Sequence, residues 1–293
     1  MLDPRIDTFL TVCQCMSFTA AAEELHITQP AVSQHIHGLE QLYGAALFSR
    51  QGRRLHLTPA GELLRSTASV ARSDQQAMLR RMARREAAGQ QVRFGVTLTI
   101  GEYVIAAPLA RYLKAHPADD VQVRCGNTAQ LLALLEQGEI DFALVEGNFR
   151  REEYHTLVYR TQPFLPVCAA GHRFTRPAAG LDSLLGERLL VREPGSGTRE
   201  ILERCLAVHN LEVGDFAHLA QVENMHTLVS LLRADCGISF LYQAAVDELL
   251  ERGELAIIPL AGFSVEHDFT FLWNRGSAFS EEYARICGEL AAP

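Results

Sequence analysis

Residues 21–40 read Ala21-Ala22-Glu23-Glu24-Leu25-His26-Ile27-Thr28-Gln29-Pro30-Ala31-Val32-Ser33-Gln34-His35-Ile36-His37-Gly38-Leu39-Glu40. Their spacing decides the fold at the head of the chain. Ser17 is placed to cap a short alanine-rich helix that ends near Leu25. A four-residue break follows, and Thr28 is a good N-cap for the next helix, with Pro30 harmless in its first turn, where its missing N–H would have no intrahelical partner. Val32, Ile36 and Leu39 fall on one stripe, which leaves Gln29, Ser33, Gln34 and His37 on the opposite, polar side. Upstream, Phe9, Leu10, Val12 and Cys13 form a second apolar face. Two short helices around a tight turn, held against a third, make a helix-turn-helix whose polar side is free to meet an outside partner.

Outward from that stretch, Leu47 to Thr58 has strand-like ends around a glycine-containing turn bearing Arg50, Arg53 and Arg54. It reads as a basic wing that would hold phosphates and so position the preceding helix in a major groove, although a charge run of this kind can also be a plain solvated face. Pro59 and Ala60 begin a helix that runs to about Glu86 without an internal glycine or proline, about 40 Å long. Leu64, Ala68, Ala71, Gln75, Met78 and Met82 recur along it at alternating spacings of four and three, the pattern of two helices packed side by side.

From Gln91 the texture changes to alternating strand and helix. Val92–Val96, Val121–Arg124 and Ile140–Val145 are nearly continuous apolar strands, separated by helices from about Gly101 to Ala115 and over Leu131–Glu136. A second series follows: strands at Leu165–Ala169, Leu189–Val191, Ala217–Val222 and Ile238–Leu241, with helices over Thr198–His209 and about Met225–Ala234. Strands at Ala256–Ile258 and near His267–Leu272 and a helix over Glu281–Leu290 close the chain. The expected division is a winged helix-turn-helix over residues 1–58, a linker and dimerisation helix over 59–88, and a two-lobed α/β domain over 91–293. Its first lobe takes about 91–163 and 260–293, its second about 164–259, with a cleft between them.

Charge supports the division. The chain of 293 residues carries a formal −8, which by itself argues against a nucleic-acid partner. Residues 1–90 nevertheless hold ten arginines, no lysine and eight acidic residues, a net +2, whereas residues 91–293 carry −10. Seven cysteines, an odd number in a chain too large to need disulfide staples, and the lack of an opening apolar segment or a membrane-length apolar run point to the reducing cytoplasm.

The stretch quoted above, followed by Gly44, Leu47-Phe48-Ser49-Arg50 and Leu57-Thr58-Pro59-Ala60-Gly61, closely resembles the LysR-type transcriptional regulators, and the resemblance extends over the whole chain. It implies a winged helix-turn-helix, a linker helix that pairs in the dimer, and a two-lobed effector domain like a periplasmic binding protein. The implied assembly is a dimer or tetramer on an approximately palindromic double-stranded DNA site, with contact to RNA polymerase. By the family's motif, Thr28, Gln29, Pro30, Ser33 and Arg53 are the DNA-contacting positions, with Gln34 and Arg50 as neighbours.

Arg192-Glu193-Pro194-Gly195-Ser196-Gly197-Thr198-Arg199, Thr97 to Tyr103 and Gly126-Asn127-Thr128 are similar to runs in the branch that regulates sulfur assimilation and carbon fixation. The chemistry agrees with a site for a small anion. Ser196 and Thr198 stand at a helix start, Thr97 and Thr99 end the first strand, and Asn127 and Thr128 open the helix after the second, all beyond the carboxyl ends of strands. Glu146 follows the third strand and faces the same cleft, where its carboxylate would repel an anion unless one of the two is protonated or a basic group intervenes. Plain helix capping is the alternative for all of these residues. Val222-Glu223-Asn224-Met225-His226 departs from the family's small glycine- and serine-rich turn; Asn224 joins the effector candidates, and Met225 and His226, if they line the cleft, would narrow it and make it pH-sensitive.

Catalysis is not expected. No G-x-S-x-G elbow, phosphate-binding loop or dinucleotide fingerprint is present, and His172 and His267 stand alone. Cys13 and Cys15 point to different sides of a helix, so neither metal nor cofactor is expected. The competing reading is a solute-binding or interaction protein without DNA recognition, which would have no reason for the arginine-rich wing or the heptad helix.

Overall fold

The computed structural model describes residues 3–52, 54–83 and 89–292. At the head of the chain, α1 (Pro4–Cys15), α2 (Phe18–Glu24) and α3 (Gln29–Tyr43) each start at a side-chain cap: Asp3, Ser17 and Thr28 accept from the amides of Arg5, Ala20 and Ala31. Val32, Ile36 and Leu39 of α3 are buried against Phe9, Leu10 and Val12 of α1 and Ala21 and Ala22 of α2, the stripe read from the sequence. Thr8 Oγ1 and His35 Nδ1, 2.9 Å apart, tie α1 to α3. β1 (Phe48–Gln51) and β2 (Arg54–Leu57) pair antiparallel around Gly52, whose φ of +62° suits the turn.

Thr58 closes this unit. Its hydroxyl donates to the Ala46 carbonyl at 2.6 Å and accepts from Gly61 N at 3.0 Å, starting α4 (Pro59–Ala83). A Cβ at position 61 would collide with the Leu47 carbonyl oxygen, so glycine is what lets the linker helix leave so close to the wing. The remainder of the expected linker helix, residues 84–88, lies outside the described residues. The heptad stripe divides in two. Leu64 and Ala68 pack into the helix-turn-helix core, whereas Met78 and Met82 stay exposed beside Leu79. Only the distal part of the stripe is free to meet a second helix.

The remaining chain runs β3 (Gln91–Thr97), α5 (Leu98–Tyr103), α6 (Ala106–Ala115), β4 (Asp120–Gly126), α7 (Thr128–Gln137), β5 (Phe142–Val145), β6 (Tyr154–Ala169), β7 (Arg188–Val191), α8 (Gly197–Val208), β8 (His218–Gln221), α9 (Met225–Arg233), β9 (Ser239–Tyr242), α10 (Asp247–Glu251), β10 (Leu255–Ile257), β11 (Val265–Asn274) and α11 (Ser280–Ala291). β3 pairs in parallel with β4 and β5, and β11 returns antiparallel between β5 and β6. The long β6 crosses from one lobe to the other: from Tyr154 to Phe164 it pairs with β11, and from Phe164 to Ala169 with β9 and then β10. β7 and β8 pair in parallel and join the second lobe through the Leu189–Ile238 bridge.

Several elements differ from the sequence expectation: α10 is an unexpected helix, and Thr99 lies in α5 rather than at the end of the first strand, because β3 stops at Thr97. The helix read from Gly101 to Ala115 is two helices, because the amides of Val104 and Ile105 both turn back to the Ile100 carbonyl. The strand read from Leu165 begins eleven residues earlier, at Tyr154. Its first half shows one face to solvent and carries Arg160, Thr161 and Gln162, which dilute the apolar run of a doubly covered strand. Among the described residues, no helix is long and apolar enough to cross a membrane.

Candidate nucleic-acid interface and inter-lobe seam

The outer side of α3 is open. Thr28, Gln29, Pro30 and Gln34 are exposed and Ser33 is half-buried. The Thr28 hydroxyl is partly engaged in capping, 3.4 Å from Ala31 N, and Gln29 Nε2 donates to Ser33 Oγ at 2.8 Å. A hollow of about 180 Å³ between α3 and the wing is bordered by Ser33, His37 and Arg50, so groups from both elements face one groove. Arg50 and Arg54 are exposed and have no carboxylate partner among the described residues; Arg53 lies outside the described residues. A polar helix face flanked by unneutralised guanidinium groups suits a polyanion with readable edges.

The second candidate site is closed where the first is open. The carboxyl ends of parallel strands β3, β4 and β5 meet the start of α8, and Glu146 lies at the centre with 1% of its surface exposed. Its Oε1 accepts from Thr99 Oγ1 at 3.1 Å and from Thr198 Oγ1 at 3.3 Å, and the Thr97 hydroxyl donates to Oε2. The Thr99 and Thr198 hydroxyls are 3.4 Å apart, and Tyr242 OH donates to the Glu146 carbonyl at 3.4 Å. Burial pushes the Glu146 carboxyl above its ordinary range; the hydroxyls and the more distant Arg192 act in the opposite direction. Thus three hydroxyl groups expected for an effector hold the chain's own carboxylate.

Two glycines permit this closeness. A Cβ on Gly197 would lie 2.7 Å from Gly147 Cα, and one on Gly147 would collide with Thr128 Oγ1. Thr128 Oγ1 is itself buried without a hydrogen-bond partner. Ser196 is buried as the N-cap of α8 but makes no side-chain cap bond. Asn127 caps α7 by accepting from Gln130 N at 2.9 Å, and its amide reaches Glu193 Oε1 of the other lobe at 3.5 Å. Asn224 is exposed, and its oxygen accepts from Thr227 N and Oγ1 to cap α9. Met225 is packed in the core of the second lobe with Leu228, Leu232 and Leu241, so it does not narrow the seam, and His226 is exposed.

Arg192 and Glu193 carry no role that their residue types alone make legible in the sequence. Arg192, 2% exposed, holds Glu193 at 2.9 and 3.0 Å and supplies the positive charge nearest Glu146. Burial also raises the Glu102 carboxyl, which Arg192 and His226 oppose. The missed signal was position: Arg192 directly follows the apolar strand β7, at its carboxyl end. The hollow bordered by Thr198 measures about 10 Å³, room for at most one water. Two larger hollows, of about 560 and 770 Å³, flank α4 where it passes the first lobe. Burial pushes the thiols of Cys13 and Cys168 up to about 12 and about 11, which leaves them protonated at neutral pH.

Residues 5–62 match the family described as bacterial regulatory helix-turn-helix protein, lysR family, and residues 85–290 match the LysR substrate binding domain. The chain is 32% identical to the HTH-type transcriptional regulator CfxR of Cupriavidus necator, covering 89% of this chain and 82% of that one. It is 28% identical to CysL of Bacillus subtilis (91% and 89% covered) and 29% identical to CbbR of Rhodospirillum rubrum (97% of each). Among solved structures it resembles ArgP from Mycobacterium tuberculosis, with a TM-score of 0.62 at 18% identity over 99% of this chain and 96% of that one. The regulatory domain of CcmR from Synechocystis, in complex with 2-PG, gives 0.61 at 19% identity over 69% and 96%. These two structural likenesses speak for the fold alone.

Proposed function

The chain belongs to the LysR family of bacterial helix-turn-helix regulators, and on that premise we propose that the exposed side of α3 reads base edges while the wing holds the phosphate backbone. The protein is a sequence-specific DNA-binding transcriptional regulator with an effector cleft between two lobes, not an enzyme. In the proposal, Gln29, Ser33 and Gln34 face the bases, Thr28 and Pro30 set the entry of α3, and Arg50 and Arg53 neutralise phosphates. The observation that carries it is the uncovered polar face of α3 opening onto the same groove as Arg50. Two copies, joined through the free distal part of α4, would impose an approximately palindromic site with half-sites an integral number of helical turns apart. Contact with RNA polymerase at the promoter completes the proposal. The test is retardation of DNA fragments from upstream of the chain's own gene and from across its genome, titrated with salt. Specific, salt-sensitive binding is expected, and its absence on every fragment overturns the reading.

The effector we propose is a small anion. Support comes from the hydroxyl groups of Thr97, Thr99 and Thr198, which already hold one oxyanion, that of Glu146. Ser196, Thr128 and Asn127 border the same seam. Two like charges do not share so buried a place, so the anion enters as the lobes part and either displaces the Glu146 carboxylate or meets it protonated. Calorimetry with sulfur, phosphate and carboxylate anions should find saturable binding that weakens in Thr198→Val and strengthens as pH falls. No binding across that panel overturns the anion reading and leaves the DNA reading standing.

A further inference from the structure

The first lobe connects the seam to the linker helix through two rigid elements that share one corner. α7 begins at the seam, with Asn127 reaching toward Glu193 and Thr128 against Gly147, and ends about 15 Å away at Gly138, whose φ is +72°. β5 runs back from that corner: Asp141 precedes it, and Glu146, at the centre of the seam, follows it. All four residues of β5 are buried, so the strand cannot shift without its surroundings.

The corner is held by α4. Arg80 Nη1 donates to the Gly138 carbonyl at 2.7 Å, and Arg80 Nη2 donates to Asp141 Oδ1 at 2.6 Å; Asp141 Oδ2 in turn accepts from Arg93 N at 3.0 Å. One side chain thus binds the last turn of α7 and the residue before β5. Arg72 Nη2 adds a bond to the Glu136 carbonyl at 3.1 Å, and Arg65 binds Glu136 Oε1 at 3.0 Å and Glu153 Oε1 at 2.8 Å. Spacings of seven and eight put Arg65, Arg72 and Arg80 on one side of α4. Cations against terminal helix carbonyls are favourably placed, and a bidentate guanidinium fixes direction as well as distance. At its other end, α4 is part of the DNA-binding core through Leu64 and Ala68.

We propose that Arg80 is the positioning residue through which a change at the seam reaches the DNA-binding unit. α7 and β5 move as one body when the lobes part, and Arg80, supported by Arg72 and Arg65, passes that movement to α4. The inference rests on the regulator reading above. Closeness in space alone does not establish coupling, so the experiment measures coupling itself.

Full-length protein, Thr198→Val, Arg80→Gln and the double variant are compared for affinity on one genomic fragment that the wild type retards. Thr198→Val loosens the seam without touching α4. Its effect on DNA affinity should be at least about fivefold in the native background and less than about twofold once Arg80 is replaced. Equal effects in both backgrounds, or no effect in the native one, overturn the proposal. Should Arg80→Gln fail to fold, amide hydrogen exchange along residues 59–83 decides the matter. Altered protection around Arg72–Arg80 in Thr198→Val supports the joint, and unaltered protection overturns it. A wild-type protein that retards no fragment would instead overturn the DNA-binding reading.

Discussion

The outer side of α3 and the inter-lobe seam are built on opposite terms. At α3 the polar side chains stand in or near solvent, beside the exposed wing arginines Arg50 and Arg54, which have no carboxylate partner among the described residues. At the seam the hydroxyl groups are buried, those of Thr97, Thr99 and Thr198 are engaged, and the central carboxylate comes from the chain itself. A surface that must meet a long polyanion gains from being ready before contact. On the proposed effector reading, a site that must change shape when a small molecule enters needs a stable state without it, and the Glu146 contacts would supply one.

Substitutions should separate the two regions. The largest effect is expected at Gly197, where any Cβ meets the Gly147 backbone: Gly197→Val should lower stability by about 3 kcal/mol, read as a shift of the denaturation midpoint. A replacement at equal stability would show that the lobes do not need to approach. On α3, Ser33→Ala and Gln29→Ala should leave the denaturation midpoint nearly unmoved yet cost about 1–3 kcal/mol of discrimination between specific and random DNA. Losses that are the same on every sequence would move these residues from reading bases to holding phosphate.

Protonation sharpens the contrast further. The Glu146 carboxyl is raised in the folded chain, so folding favours its protonated form. That contribution is fully present below the ordinary carboxylate range and is lost as pH rises toward the folded value. Glu146→Gln should therefore match the wild type near about pH 4 and exceed it in stability near neutrality. Parallel stability curves for the two proteins would contradict the burial argument. The smallest effect belongs to the wing. Arg50→Ala should weaken binding alike on all sequences and reduce the salt slope by about one, while an unchanged slope would remove Arg50 from the phosphate contacts.

Much of this was legible from the order of residues. Caps at Ser17 and Thr28, the Val32-Ile36-Leu39 stripe and the apolar strands are local patterns, and local patterns survive into the fold. The first half of β6 escaped notice because it is paired with β11 yet wet on one face, a state that no run of apolar residues signals. The heptad stripe of α4 was visible, but the burial of Leu64 and Ala68 in the helix-turn-helix core was not. The side chain of Asn224 caps its own helix, as that of Asn127 does, a local role that any asparagine before a helix can take.

By itself the sequence determined the kind of protein: a helix pair with a polar outer side, a basic wing, a long linker and alternating strands and helices, each set by propensity and periodicity over a few residues. Only the tertiary structure decided what the seam residues do. Thr97, Thr99, Glu146 and Thr198 lie up to 101 positions apart, and nothing in their spacing says that a carboxylate of the chain would fill the hydroxyl cradle, or that Arg80 would grip the corner between α7 and β5. Those facts depend on how two lobes and a linker helix pack together, and on the cost of leaving a buried polar group without a partner.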